Sequence, residues 1–495
     1  MFVNYKDDNT EERSPKQTNY FVTAEIFEKK IIDDNIKIVL ENNIEVSFPN
    51  LCMTLKRAME DKNVPEICST ISMIFKFVST VVIHDIQDLQ FFGLILNLLF
   101  IIENNVDLFD MDTRICSINI ISSLIHKSTT ICDFITSFNI VSFFVEGILF
   151  NNDLFPLHFH VIKCLQKIAN HCSDCQNNIC EKLPCEYIYN VFGIPIYDED
   201  TDYEIVINDE IEKNYENENK EMKKEILLLL KNISKWALHP DLIEYCFNMF
   251  LLWISSSSTE KDIGLLGICY LTKQPRECWY KLFEQSFLYA EITVYLKGDP
   301  KTIESTLFLL SSIYAENQFV KGLQYSNIID LLHYDDNPTH TSIRHLAAKT
   351  LNKIMKQDPN FIKLLIKGGL LDAFHDVFDE SSFDVKAKLV SCLETIALFG
   401  ESSDKVDLIN NNGIMYLMNI IQYGNEQQIC NAIRALENLF KENIKKICYE
   451  SFWNTPGHEI IFEMSKNINK EVASLASQFL NCYFPLVNGK IMMLE

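Results

Sequence analysis

The chain is predicted to be an all-α solenoid of stacked helical repeats, and three observations carry that prediction. From about Asn50 onward, apolar residues recur at three and four spacing, as in Ile67, Ile71, Ile74, Phe75 and Val78, which is the pattern of helices with one buried face. Only 14 Gly and 13 Pro occur in 495 residues, too few for the frequent turns of a strand-rich chain. Self-similar segments also return at a nearly fixed period, the signature of a repeat architecture whose units bury their apolar faces on one another.

Taken in order, residues 1–45 are rich in Asp, Asn, Lys and Glu and read as a loose tail, with a weak amphipathic stretch from Ala24 to Leu40. The solenoid is expected over 46–485. An apolar residue near the end of each long helix serves as its ruler: Leu124, Ile168, Ile233, Leu271, Ile313, Ile354, Ile396, Leu439 and Tyr483. These mark nine units, at intervals of 44, 65, 38, 42, 41, 42, 43 and 44 residues. The one outlier places an insertion between Ile168 and Ile233. There lies Tyr197 to Glu221, with eleven acidic side chains against two Lys, too charged to pack in a core and expected to be an acidic loop over 197–221. Residues 486–495 read as a C-terminal tail.

Within the C-terminal half, three segments beginning at Leu346, Lys388 and Asn431 each hold a long helix, a turn, a second helix and a third. A helix-breaking Gly precedes the third helix at Gly369, Gly413 and Gly457, 44 residues apart both times. A three-helix unit of about this length, with a long last helix reading Ala-Leu-x-Asn-Leu or Ile, resembles the armadillo repeat. Arg434, Ala435, Leu436, Glu437, Asn438 and Leu439 carry that signature most closely, and Leu165 to Phe192 follows the same outline. The resemblance covers residues 60–485, with the N-terminal units closer to the two-helix HEAT pattern. It implies a right-handed superhelix of about nine three-helix repeats.

In peptide-binding members of that family, an Asn of the long helix hydrogen-bonds the backbone of an extended peptide in a concave groove. The resemblance carries this role to Asn232 and Asn438, and by register to Ser123, Lys167, Tyr270, Ser312, Lys353 and Thr395, with Cys482 at the last unit. The regular Asn ladder is missing, and Trp236, Trp253, Trp279 and Trp453 share no register. The groove itself is expected whatever its residues, because stacked units rotate slightly relative to one another.

Composition bounds the partners. A formal net charge of -24 repels phosphate backbones and anionic lipid, so neither nucleic acid nor a membrane is an expected partner. A basic peptide, tail or protein face is its electrostatic complement. The opening residues show no basic start followed by an apolar stretch, so no secretory signal is expected. The most apolar run, Phe91 to Ile102, is about half a bilayer span, and Phe134 to Phe150 is broken by Glu146. Sixteen Cys then read as reduced, partly buried small hydrophobes in an intracellular chain of the cytoplasm or nucleus.

Cys172, Cys175, Cys180 and Cys185 imitate the spacing of a zinc knuckle, with His171 beside them, and four thiolates close a tetrahedral site. The same residues also fit a regular repeat unit with its core positions, and no metal or other cofactor is expected. Asp198, Asp200 and Asp202 begin like a calcium loop, but Tyr203 stands where the sharp turn needs Gly. His158 with His160, and His340 with His345, lack the spacing of four that brings a metal pair onto one helical face. No phosphate loop, nucleophile elbow or metalloprotease helix occurs, so catalytic residues are none. The reading is a monomeric, non-enzymatic scaffold or adaptor binding a protein or peptide along the groove. The alternatives are an importin-alpha-like transport adaptor or a co-chaperone-like clamp on a folded domain, and remotely a zinc-dependent protein.

Overall fold

The computed structural model describes residues 48–80, 93–103, 108–127, 129–171, 173–183, 185–192, 209–255, 260–316, 323–334, 341–441, 444–487 and 490–491. The N-terminal tail expected over 1–45 lies outside the described residues. The chain divides into two compact units, one ending at Ile233 and the other beginning at Ser234, within the 46–485 over which the sequence suggests one solenoid interrupted by the acidic loop at 197–221.

In each unit one long helix per repeat packs on the long helix of the next. The first unit holds four of these: α1 (Val64–Thr80), α2 (Met111–Lys127), α3 (Phe155–Ala169) and α4 (Asp209–Ile233). The second holds six: α5 (Lys261–Leu271), α6 (Pro300–Ala315), α7 (Thr341–Gln357), α8 (Phe383–Phe399), α9 (Glu426–Lys441) and α10 (Lys470–Tyr483). Shorter helices, such as Asn360–Lys367 and Leu370–Phe378, connect successive long ones and form the other layer. All nine ruler residues fall in the last turns of α2 to α10 and are buried, eight of them at 1% exposure or less. The ladder begins one rung earlier than the ruler, with α1 packed on the helix Phe48–Glu60 and on α2.

Why these segments are helices follows from their spacing. In α7, Ile343, Ala347, Leu351 and Ile354 repeat at four and three and are all fully buried, so the stripe is set by periodicity rather than by intrinsic propensity. Pro300 opens α6 behind Asp299, whose carboxylate accepts from the Lys301 and Thr302 amides at 3.1 and 3.2 Å. Gly369 has φ 90°, and Gly413 leaves no room for a Cβ, which would stand 2.6 Å from the Leu408 carbonyl oxygen. The recurrent glycine thus marks the tight entry to the short helix in two different ways.

A second repeated position holds the layers together. Ten residues before the ruler stand Arg114, His158 and Arg344, each the fourth residue of its long helix and each buried. Arg114 donates from Nε and Nη2 to the Ile102 carbonyl at 3.0 and 2.6 Å, near the end of helix Leu94–Glu103. Arg344 reaches the Tyr334 carbonyl at 3.1 Å and Ser381 Oγ at 3.0 Å. His158 Nε2 lies 3.0 Å from the Ile148 carbonyl and 3.2 Å from that of Asn151, so Nε2 carries the proton and Nδ1 faces the Tyr187 hydroxyl at 3.3 Å. Burial holds its imidazole below the ordinary value, against the pull of the two carbonyls. At the same position Lys223 and Lys386 stand over the rings of Phe192 and Phe378, the last residues of the preceding short helices. A cation in the first turn opposes its own helix dipole. The orphan carbonyls of the preceding helix offset that cost.

The acidic segment differs in part from its expected loop. Residues 197–208 lie outside the described residues, but Asp209–Glu221 form the N-terminal half of α4, which runs for 25 residues. The expected C-terminal tail begins with a minimal hairpin, β1 (Leu486–Val487) paired antiparallel with β2 (Lys490–Ile491). Next to it, Phe440, Phe452, Phe479 and Phe484 close the last rung, with Phe452 and Phe484 stacked at 4.9 Å. Among the described residues no single helix is long and apolar enough to cross a membrane. Thr129–Thr136 and Ile140–Leu149 together reach that length but are bent by 69°.

Candidate functional site

The eight residues expected to face a partner all occupy one register position, immediately before the ruler, on successive long helices: Ser123, Lys167 and Asn232 in the first unit, and Tyr270, Ser312, Lys353, Thr395 and Asn438 in the second. What most of them touch is the neighbouring rung. Lys167 Nζ donates to the Ser122 carbonyl at 3.2 Å, Asn232 Nδ2 to the Gln166 carbonyl at 3.2 Å, and Lys353 Nζ to the Ser311 carbonyl at 3.0 Å. Thr395 Oγ1 donates to Asn352 Oδ1 at 2.6 Å, and Ser312 Oγ lies 3.4 Å from Cys269 Sγ. In each case the partner residue sits two before the ruler of the preceding unit. The last rung continues the pattern from the ruler itself, with Tyr483 Oη donating to the Glu437 carbonyl at 3.4 Å.

This row is therefore a clasp between repeats. A helical carbonyl has two lone pairs and spends one within its helix, so a side chain from the next rung takes the other without breaking the helix. The clasp accounts for the missing Asn ladder: Lys, Asn and Thr all donate over the short gap between packed helices, and Ser312 meets Cys269 there. Thr395, in the same row, is 1% exposed and turned into the rung interface. Asn438 bonds the Arg434 carbonyl of its own helix at 3.1 Å, and Ser123 is half-buried. Tyr270 stands under two lysines, with Lys273 and Lys235 at 5.4 and 5.6 Å from its ring centroid.

The surface that the long helices leave open lies one turn earlier. Five residues before the ruler, Leu266, Phe308, Lys349, Ser391 and Arg434 follow one another across α5 to α9, all half-buried except Phe308, which is 40% exposed. Another turn back stand Asp262, Glu304, His345 and Lys388. The face thus changes along its length, from apolar and acidic at α5 and α6 to basic at α7 and α8. Burial, then the nearby charges of Lys388 and Lys349, push the His345 imidazole down to about 4, against a smaller pull from Asp384. Burial and Lys388 hold Lys349 below its ordinary value, while burial and Lys349 do the same to Lys353, with Glu316 pulling weakly the other way. At the inner edge of this face Glu394 is 9% exposed, and burial raises its carboxyl to about 7 in spite of Lys356.

The cysteine cluster does not form a ligand set in the described residues. Cys172 lies outside them, as does the side chain of Cys185. Cys175 and Cys180 share the helix Ser173–Lys182, five residues and so about 140° apart around its axis. Cys180 Sγ accepts from Gln176 Nε2 at 3.0 Å, and burial raises its thiol to about 11, which opposes the thiolate a zinc ion needs. Of the other histidines, His160 Nδ1 meets Asn119 Oδ1 at 3.1 Å and His171 Nε2 meets Asp133 Oδ1 at 3.2 Å, so both tie α3 and its following turn to neighbouring elements. The sequence reading missed the clasp because its row was matched to a groove. The position ten residues before the ruler, held by Arg114, His158 and Arg344 and by Lys223 and Lys386, is hidden because three side-chain types share it.

Comparison with known proteins adds to the fold. No protein-family model matches the chain, and no curated protein matches it in sequence. An engineered protein of solved structure superposes with a TM-score of 0.65 at 13% identity, over 87% of this chain and 98% of its own. Two designed armadillo repeat proteins match at TM-scores of 0.40 and 0.42, with 19% and 18% identity. Each covers 48% of this chain and 98% of its own, and the second was solved in complex with the peptide (KR)4. The long superposition and the three-helix units of the second half, long helix following two short ones, make this an armadillo-like, all-α repeat fold.

Proposed function

We propose that the protein is a non-enzymatic interaction scaffold that holds a partner protein against the open face of its long helices. The observation that supports this most is the row Leu266, Phe308, Lys349, Ser391 and Arg434. Side chains of mixed chemistry stand side by side on packed rungs: Ser391 Oγ bonds the Ala387 carbonyl of its own helix at 3.0 Å and Arg434 pairs with Glu471 on α10 at 2.6 Å, while Leu266, Phe308 and Lys349 line the same face on α5 to α7. The clasp row takes over the donors that an extended peptide backbone would need, so a broad contact with a folded domain or a structured segment fits better than an importin-alpha-like ladder. Nine buried free thiols among the described residues suit a reducing compartment, the cytoplasm or the nucleus, and the protein acts as a monomer.

Photo-crosslinking tests this reading. A benzophenone amino acid is placed at Phe308 or Ser391 on the long-helix face, and at Leu364 or Tyr423, which are exposed on short helices. Partner adducts are expected from the first pair. Equal or higher yields from Leu364 and Tyr423 would remove the long-helix face as the binding surface.

A further inference from the structure

The chain carries a net charge of -24, which on average favours a basic partner, yet the long-helix face of the second unit has the opposite sign locally. Lys349 and Lys353 on α7 and Lys388 on α8 are all half-buried. Each of the two α7 lysines stands near enough to another lysine of the group to feel its charge, and His345 sits among them close to Lys349 and Lys388. Lys353 is held by the Ser311 carbonyl. Among the described residues, no carboxylate lies within ion-pair distance of Lys349 or Lys388. The acids of this neighbourhood are engaged elsewhere or set apart. Glu304 accepts from Ser342, Glu394 is buried near Lys356, Glu316 acts weakly on Lys353, and Asp384 acts on His345. Crowding like charges into a half-buried place costs stability, and an anion brought in from outside repays it.

Next to this cluster, at the same level of α5 and α6, the surface is apolar. Leu266 and Phe308 occupy the register position of Lys349, and Tyr270 occupies that of Lys353. A surface with cations on one side and the exposed Phe308 flanked by the half-buried Leu266 and Tyr270 on the other complements a segment that carries both carboxylates and large apolar residues. Nucleic acid offers the charge but not the aliphatic groups, and as a long polyanion it meets the repulsion of the whole chain.

We propose that the face formed by Lys349, Lys353 and Lys388 with Leu266, Tyr270 and Phe308 receives a carboxylate-rich segment of a partner protein, its acidic side chains on the lysines and its apolar side chains on the other three. This rests on the scaffold reading and gives its partner a chemistry. The test is fluorescence anisotropy on the full chain with a fluorescein-labelled peptide repeating Glu-Leu-Glu-Phe, its Lys-Leu-Lys-Phe counterpart, and a labelled single-stranded DNA. The acidic peptide is expected to bind saturably and to weaken with added salt. Lys349→Glu with Lys388→Glu should weaken it about tenfold or more, while the charge-matched pair Lys367→Glu with Lys470→Glu, both exposed on other surfaces, leaves it unchanged. Lys349→Gln with Lys388→Gln gives the milder form of the same loss should the reversal impair folding. Equal binding by both pairs, tighter binding of the DNA, or no binding of the acidic peptide would overturn the proposal. If the basic peptide binds instead and Phe308→Ser abolishes it, the face is a docking surface of the other sign. Crosslinks absent from Phe308 would remove the scaffold reading itself.

Discussion

The clasp between rungs makes a quantitative prediction at Thr395. Its hydroxyl has one hydrogen and two acceptors within reach, Asn352 Oδ1 at 2.6 Å on α7 and the Ser391 carbonyl at 3.0 Å in its own helix. The shorter bond is the one that joins α7 to α8. Thr395→Val keeps the shape and removes the donor at a site 1% exposed, so a stability loss of about 1–2 kcal/mol is expected, toward the upper range for a neutral buried bond. Asn352→Ala removes the acceptor, and because Asn352 is half-buried its lost bond costs less, about 1 kcal/mol. The double variant should lose less than the two added together, with a coupling of about 1 kcal/mol. Urea unfolding followed by far-UV circular dichroism measures all four proteins over one transition. A coupling below about 0.3 kcal/mol, which is within ordinary additivity error, would show that the contact carries no energy between rungs. A loss of partner binding with stability unchanged would return Thr395 to the binding role the sequence suggested.

Further predictions follow from the other repeated positions. Arg344→Lys should destabilise by about 1.5–3 kcal/mol in thermal melts, because one ammonium does not span the Tyr334 carbonyl and Ser381 as the guanidinium does; unchanged melting would show that the cation row is not structural. Glu394 has a folded-state carboxyl near 7 against an ordinary 4.5, so the folded protein holds a proton there that the unfolded chain releases. Stability is therefore lost as pH rises from about 4.5 through 7, and Glu394→Gln should flatten that slope and stabilise the protein by about 1–3 kcal/mol at pH 8. His345 acts in the opposite sense. Its folded value near 4 lies below the ordinary 6.5, so its contribution is present above 6.5 and lost as pH falls through 4, and His345→Gln should blunt the acid limb of the same profile. Gly369→Ala forces a side chain to φ 90° and should cost about 1–2 kcal/mol.

The ruler could be read from sequence because a fully buried Ile or Leu in the last turn of a long helix tolerates little else, and Ile313, Ile354 and Ile396 declare themselves by spacing alone. The glycines at 369 and 413 were legible for a similar reason, since each enforces local geometry. Polar positions were not. Lys167, Asn232, Lys353 and Thr395 satisfy one geometric demand, a donor over an acceptor of the preceding rung, and several residue types meet it. Their identities therefore do not repeat even though their contacts do. Asp209–Glu221 was expected as loop from its charge density, but Ile211, Tyr215 and Met222 continue the spacing of Ile226 and Ile233, and that periodicity was the better guide. The lysine face of α7 and α8 was hidden because net charge averages over the whole surface, whereas recognition depends on which rungs stand side by side.

Hydrogen–deuterium exchange on the complex with a partner captured from extract tests the central claim most directly, by comparing free and bound protein peptide by peptide. The account predicts that protection is gained along α5 to α8, strongest around Phe308 and Lys349, with the short helices Asn360–Lys367 and Gly413–Tyr423 unchanged. Protection confined to those short helices, or spread evenly over the second unit, would contradict it.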